Sequence, residues 1–295
     1  MKIVSLLPSA TEIVYLLGLD GSLRGRSFEC DHPVEVASVP IVSGTALPTD
    51  GSATPAEIDA VVSASVAAGE SLYSLDTEQI LAIGPDLIIS QDLCQVCAVP
   101  AGAVDEALAA IGCQSEVLSL DPMRLDDVIE AIGVIGRATG TEALAIDVMA
   151  GLRGRLDSVA AGIAPRQRPK MLLLEWGDPP FSAGHWMPDM VVAAGGEPVL
   201  AAGGDRSGRV TWDQIAAETI DVVVFAPCGF DLAAAIEQAL PLVDRDELAH
   251  AGHFYAVDAN SYFSRPGPRV VDGIELLAGI VAGSDGVSGR SSRLR

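Results

Sequence analysis

Over 295 positions the chain sets 40 acidic residues against 18 basic ones, a formal net charge of −22. That balance excludes nucleic acid as a partner, since neutralising phosphates needs a basic face, and it excludes attraction to anionic membrane surfaces. With 49% hydrophobic residues the chain can bury one large or two medium cores, and no apolar run approaches the roughly 20 residues of a membrane span.

The first strand is read at Ile3–Leu6. Met1 to Pro8 resembles a secretory leader superficially, but its apolar run is too short and Glu12 follows. The compartment stays open between cytoplasmic and, with a leader removed, periplasmic or cell-surface. Ser9 with Glu12 reads as a capping box for a helix Ala10–Leu17 that ends at Gly18. A strand near Leu23–Ser27 leads into the polar loop Glu29–Pro33, and Ile41-Val42 reads as a short strand. Helices are expected from Thr54-Pro55 to Ala68 and, capped by Leu75-Asp76, from Thr77 to Ile83 before Gly84-Pro85. Strand Asp86–Ser90, the loop Gln91–Cys97, helix Ala103–Ile111 and strand Glu116–Ser119 continue the series. Strands alternating with helices predict an α/β fold with a parallel sheet.

Leu125–Arg137 is helical in pattern, and Thr141 opens a long helix to about Ile163. The second half repeats the alternation: strand Met171–Leu174, helices Asp189–Ala194 and Trp212–Glu218, strand Val222–Phe225, helix Leu232–Leu240, strand Phe254–Val257 and helix Val271–Ala282. The resulting division is an N-terminal α/β lobe (1–124), a connecting helical segment (125–164) and a C-terminal α/β lobe (165–282). The Gly/Ser/Arg-rich tail 283–295 is expected to be disordered. Two lobes joined by one long helix would leave a cleft, lined by strand-end loops, where ligands of open α/β sheets bind. The chain is expected to be a monomer.

Only 4% of the residues are aromatic, yet Trp176, Phe181, His185 and Trp186 crowd the loop after strand Met171–Leu174. Such rings suit one wall of a site for a large, flat, partly apolar ligand; they equally suit a small satellite core. Cys94-x-x-Cys97 has disulfide, redox or metal spacing. The nearby Val99-Pro100 makes a helix start after Cys97 doubtful, and no second pair completes a zinc site. His32 and His185 sit on strand-end loops, whereas His250 and His253 read as surface residues. No phosphate-binding GxxxxGK[ST] and no GxSxG elbow is present, and the five cysteines do not suggest a disulfide framework in a chain of this size.

Five stretches in order carry a family resemblance: Ile3-Val4-Ser5-Leu6-Leu7-Pro8-Ser9-Ala10-Thr11-Glu12, Cys30-Asp31-His32-Pro33, Gly84-Pro85-Asp86-Leu87-Ile88-Ile89, Pro179-Pro180-Phe181-Ser182-Ala183-Gly184-His185 and Arg265-Pro266-Gly267-Pro268-Arg269. Together they resemble the substrate-binding proteins of cobalamin and iron-siderophore ABC importers, especially the vitamin B12-binding branch. The resemblance implies two Rossmann-like lobes joined by a rigid helix, with a corrinoid held between them and no catalysis. Expected ligand contacts are Pro8, His32, Tyr73, Gln91, Cys94, Trp176, Phe181, His185, Trp186, Ser207, Ser261, Tyr262 and Arg265. Phe181 would pack on the ring and Arg265 would touch its polar rim. His32 stands where the family commonly has Tyr, Ser261 where an acid can occur and Ser207 near where an aromatic can occur. An imidazole at His32 could reach the cobalt of the ligand. Glu78 and Asp213 match the acids that dock an ABC permease; as helix N-terminal acids they are also explained by the macrodipole. No intrinsic cofactor is expected, with cobalamin the ligand. A ferric-siderophore or haem binder, and a tetrapyrrole-modifying enzyme using Cys94, Cys97 or His185, are the other readings.

Overall fold

A computed structural model describes residues 1–48, 53–68, 71–92, 100–163, 168–287 and 289–295. The strand–helix alternation read from the sequence is present, and the chain divides into two compact units. One comprises Met1–Pro122 and Ile129–Met149, the other Met123–Val128 and Ala150–Arg295.

In the first unit, β1 (Ile3–Ser5), β2 (Leu23–Arg26), β5 (Leu87–Ser90) and β6 (Glu116–Ser119) form a sheet in the order β2-β1-β5-β6. Every neighbouring pair is parallel: Ile3 pairs with Leu23 and with Leu87, and Ile88 pairs with Val117. β1 and β5 are buried along their whole lengths, which explains why they read as unbroken apolar runs rather than alternating ones. Around them lie α1 (Pro8–Leu16), α2 (Pro55–Ala68), α3 (Thr77–Ile83) and α4 (Ala101–Ile111), with a hairpin of β3 (Ser43–Thr45) and β4 (Tyr73–Leu75). Val4, Leu6, Val42, Ile80, Ile88, Val104 and Leu108 make one core cluster.

Local signals explain most of the boundaries. Asp76 caps α3, accepting from the Gln79 amide at 2.9 Å, and Gly84 ends it in the left-handed region at φ +55°. The start of α1 differs from the expected Ser9–Glu12 capping box: the helix begins at Pro8, with Leu7 at the N-cap and no side-chain cap. Proline is preorganised for that first position, and its missing N–H removes one of the donors that a helix start leaves unpaired. Ile41 makes only an isolated bridge to Arg26, and the strand expected at Ile41-Val42 runs instead over β3.

The stretch 125–164, expected as a connecting segment, is divided between the units. α5 (Leu125–Thr139) begins in the second unit and ends in the first, and α6 (Glu142–Gly162) runs from the first into the second. The two helices approach closely at Gly136, where an added Cβ would lie 2.5 Å from the Cβ of Ala145.

The second unit is built on β7 (Lys170–Gly177), β11 (Val222–Phe225) and β12 (His253–Val257), which pair in parallel, Leu172 with Val223 and Val223 with Phe254. β8 (Pro180–Ser182) and β10 (Gly208–Arg209) extend one side antiparallel, and β9 (Glu197–Pro198) pairs β7 off the main path. α7 (Met187–Ala193), α8 (Trp212–Ala217), α9 (Leu232–Val243), α10 (Ala259–Tyr262) and α11 (Val270–Val281) complete the unit. Leu172, Leu174, Val223, Phe225, Phe254 and Ala256 anchor its core. The tail corrects an expectation: β13 (Ser291–Arg293) adds antiparallel to β12, Tyr255 pairing with Arg293 and Val257 with Ser291. Its Gly/Ser/Arg composition cannot form a core, but the open edge of β12 supplies backbone partners that the composition does not reveal. Among the described residues no helix is long and apolar enough to cross a membrane.

Gly136→Ala should therefore lower stability by about 1–3 kcal/mol, the usual cost of overpacking, and Ala145→Gly in the same chain should recover most of it. Urea unfolding of the two single variants and the double variant checks this. Equal losses with and without Ala145→Gly would show that the α5–α6 contact is not the cause.

Candidate functional site

Parallel strands leave their sheet at one common edge, so the loops after them gather there. On the first unit those loops carry Pro8 after β1, His32 after β2 and Gln91 after β5. Pro8 is half-buried in the first turn of α1, His32 is exposed, and Gln91 is buried and bridges to Pro100. Tyr73, on β4, stacks its ring on Phe28 of the loop after β2, at 6.2 Å between ring centroids. Cys94 and Cys97 lie outside the described residues.

The loop bearing His32 is tied down from beneath. Arg26, 9% exposed, donates from Nε to the Val39 carbonyl at 3.0 Å. Its Nη1 donates to the carbonyls of Cys30 at 2.9 Å and Ser27 at 3.3 Å. Burying a guanidinium is tolerable only when its donors are so satisfied. The Thr11 hydroxyl lies 2.8 Å from Ser5 Oγ and 3.1 Å from the buried Cys30 thiol, joining α1, β1 and the loop. Arg26 was not nominated from sequence, because nothing in its local pattern separates a buried arginine from an exposed one.

On the second unit, β7, β11 and β12 deliver three loops to one edge. The Cys228 amide donates to the Glu175 carbonyl at 3.2 Å, and the Asn260 amide to the Phe230 carbonyl at 3.0 Å, stitching the loops together. Trp176 and Phe181 are paired across the β7–β8 hairpin. Trp176 leans on Phe230 with centroids 5.8 Å apart, and the Arg209 guanidinium lies 5.5 Å from the Phe181 ring. All three rings are half-buried. Phe230 was missed in the sequence; its only signal was its position after Pro227-Cys228-Gly229 at a strand end. Ser261 and Tyr262 sit on α10, capped by Asp258, with half-buried Arg265 just beyond. The Tyr262 ring faces the guanidiniums of Arg290 at 5.0 Å and Arg269 at 5.9 Å.

Trp186 departs from its expected role as a ligand contact. It is 5% exposed, and its indole N–H donates to the Phe263 carbonyl at 2.9 Å. A buried indole with its donor satisfied is a packing residue; Trp186 supports the loop from within.

His185 is held differently. Its backbone is left-handed at φ +52°, a conformation uncommon for a residue with a side chain. Both its backbone groups are clamped: its amide donates to the Asp205 carbonyl at 2.6 Å and its carbonyl accepts from the Gly204 amide at 3.0 Å. Gly184 allows the approach, since a Cβ there would run into the Ser207 amide nitrogen. Ser207 Oγ accepts from the Gly184 amide at 3.1 Å and lies 3.5 Å from His185 Nδ1. Arg124 anchors the base of this knot: its guanidinium grips both oxygens of Asp189, on α7, at 2.7 and 2.8 Å, beside Gly203 and Gly204. Burial, followed by the nearby positive Arg206, pushes the His185 imidazole below its ordinary value.

Glu78 and Asp213 are exposed in the first turns of α3 and α8, where negative charge meets the positive end of the peptide dipoles. Among the described residues no group of three or more His, Cys, Asp and Glu side chains is arranged to hold a metal ion.

The His185 titration has a defined sign. A base with a depressed folded value is disfavoured as a cation in the native state, so its contribution is whole above about pH 6.5, the unfolded value. It is lost as pH falls through the lower folded value. The melting temperature should therefore drop on acidification below about 6.5, with a shallower drop in His185→Asn. Identical pH profiles for the two proteins would contradict the desolvated imidazole.

Comparison with known proteins gives a consistent picture. A model of the family described as Periplasmic binding protein matches residues 3–240. A protein named Vitamin B12-binding protein from Yersinia pestis (strain Pestoides F) is 25% identical over 222 residues, covering 74% of this chain and 65% of its own length. The chain thus spans less than two thirds of that relative. The periplasmic vitamin B12 binding protein BtuF of Vibrio cholerae superposes with a TM-score of 0.67 at 20% identity, over 96% of this chain and 98% of that one. A periplasmic heme binding protein from Pseudomonas aeruginosa gives 0.69 at 20% identity, over 99% and 97%.

Proposed function

Because this chain belongs to the periplasmic binding protein family, we propose that it is a non-enzymatic binder of a corrinoid, cobalamin or a precursor, serving ABC-type uptake or intracellular handling. The observation that carries this reading is the aromatic edge of the second unit. Trp176 and Phe181 present half-buried rings on the paired strands β7 and β8, and Phe230 leans on Trp176 from the loop after β11. Flat apolar plates with scattered polar groups suit a ligand with a broad apolar face and a rim of amides. Ser261 follows the Asn260 amide that binds the Phe230 carbonyl, Arg265 is assigned to the polar rim, and Pro8, His32 and Gln91 are the contacts assigned to the first unit. The vitamin B12-binding relatives support the same ligand class. Glu78 and Asp213 are assigned to permease docking; their exposure suits that role.

One observation favours a second reading. Tyr262 faces two guanidiniums, with Arg265 three residues on, and cations so placed would suit the carboxylates of haem.

Titration with cyanocobalamin and with haemin, followed by tryptophan fluorescence and visible absorption, separates the two. Saturable binding of cyanocobalamin is expected, and Trp176→Ala should weaken it roughly tenfold or more through lost ring burial. Saturable haemin binding with no response to cyanocobalamin would replace the corrinoid by haem.

A further inference from the structure

We propose that Arg290, the residue just before β13, is a positioning residue for the ligand: it sets the short helix α10 and, through it, the Tyr262 ring. The inference rests on the reading of Ser261, Tyr262 and Arg265 as ligand contacts. It adds to them a strand whose Ser and Arg composition reads as disorder.

The β12–β13 register carries the first step. Tyr255 pairs with Arg293 and Val257 with Ser291. One residue further the ladder makes another bond, the Asp258 amide donating to the Arg290 carbonyl at 2.9 Å. Asp258 is the N-cap of α10, and its carboxylate accepts from the Ser261 amide at 2.9 Å. The strand pairing thus fixes the residue from which α10 starts. α10 in turn reaches the aromatic edge: the Asn260 amide donates to the Phe230 carbonyl at 3.0 Å, and Phe230 leans on Trp176 with centroids 5.8 Å apart.

The Arg290 side chain acts on the same helix. Its guanidinium lies over the Tyr262 ring, 5.0 Å from the centroid, within the distance at which a cation and an aromatic face attract. It also lies 3.5 Å from Asp272 on α11. Asp272 meets Arg155 of α6 at 3.2 Å, and Arg155 holds Glu275 at 2.7 Å. The acids fix the guanidinium, and the guanidinium fixes the ring. α10 has 4 residues, far too few for a helix to be stable by itself. Supports from outside the helix therefore decide where Tyr262 stands.

Anchors further along bring Arg290 to this place. Arg293 donates to Asp285 and to His253 Nδ1, both at 2.8 Å. Arg295 donates to the Val243 and Leu248 carbonyls at 2.8 and 2.6 Å, and Leu294 packs against the core of the unit. Side chains alternate along a strand, so a slip of one residue would turn Leu294 away from that core. The same slip would take Arg290 out of line with Asp258. The register that packs Leu294 is the one that delivers Arg290 to Tyr262.

A double-mutant cycle in the full chain tests this. The parent, Arg290→Gln, Tyr262→Leu and the double variant are titrated with cyanocobalamin and with haemin, and their melting temperatures are recorded. Arg290→Gln should bind roughly two- to fivefold more weakly, the range of one exposed cation–aromatic contact, while melting near the parent. Arg290→Lys keeps the cation and should recover most of the loss. In the Tyr262→Leu background Arg290→Gln should change affinity no further, because the ring it acts through is gone. A general loosening of the fold would instead weaken binding alike in both backgrounds. Unchanged binding by Arg290→Gln, or an equal loss with and without Tyr262, would overturn the inference and leave the ligand reading standing. If only haemin binds, the corrinoid reading falls and the cycle with haemin decides the inference in the same way. If the parent binds neither, both fall together.

Discussion

Parallel pairing of buried strands is the constraint on which everything else depends. β1, β2, β5 and β6 in one unit, and β7, β11 and β12 in the other, run parallel, with β1, β5 and β11 buried along their whole lengths. A parallel strand must send its chain across a helix before returning. Every loop at its carboxyl end then opens on the same edge, and the sequence is free to vary there without disturbing the core. The candidate residues of the second unit are far apart in the chain, from Trp176 to Arg265, yet this rule brings Trp176, Phe230 and Ser261 onto neighbouring loops joined by backbone hydrogen bonds.

In each unit the loops around the candidate residues are tied down by satisfied polar groups rather than by more apolar burial. Arg26 gathers three carbonyls under the His32 loop. Arg124 grips Asp189 beneath the glycine turn that clamps His185. The salt bridge is partly exposed and adds little stability on its own account; its bidentate geometry matters because it orients the turn. A binding surface held in advance avoids the cost of ordering loops when the ligand arrives.

Much of this was legible in the sequence. Strands β5 and β11 announced themselves as short apolar runs, and Asp76 and Gly84 marked the ends of α3 by cap chemistry that acts within a few residues. What failed to show depended on partners distant in the chain. β13 forms because β12 offers it an edge, while its own Ser and Arg residues suggest disorder. Trp186 reads like its neighbours Trp176 and Phe181, but the Phe263 carbonyl, 77 positions on, takes its N–H and draws it inside. Pro8 displaced the expected Ser9 cap, a competition between two local signals in which proline's fixed φ prevailed. The left-handed backbone of His185 was hidden too, since it is imposed by the Gly203–Asp205 turn; Gly184 just before it was the one visible hint of a close approach.

Isothermal calorimetry of the intact chain with cyanocobalamin, repeated at several temperatures, tests the central claim most directly. The account predicts a single saturable site whose binding enthalpy becomes more negative on warming, because apolar rings are buried against the ligand. Saturable binding with an enthalpy independent of temperature, or no binding at all, would contradict an aromatic corrinoid site.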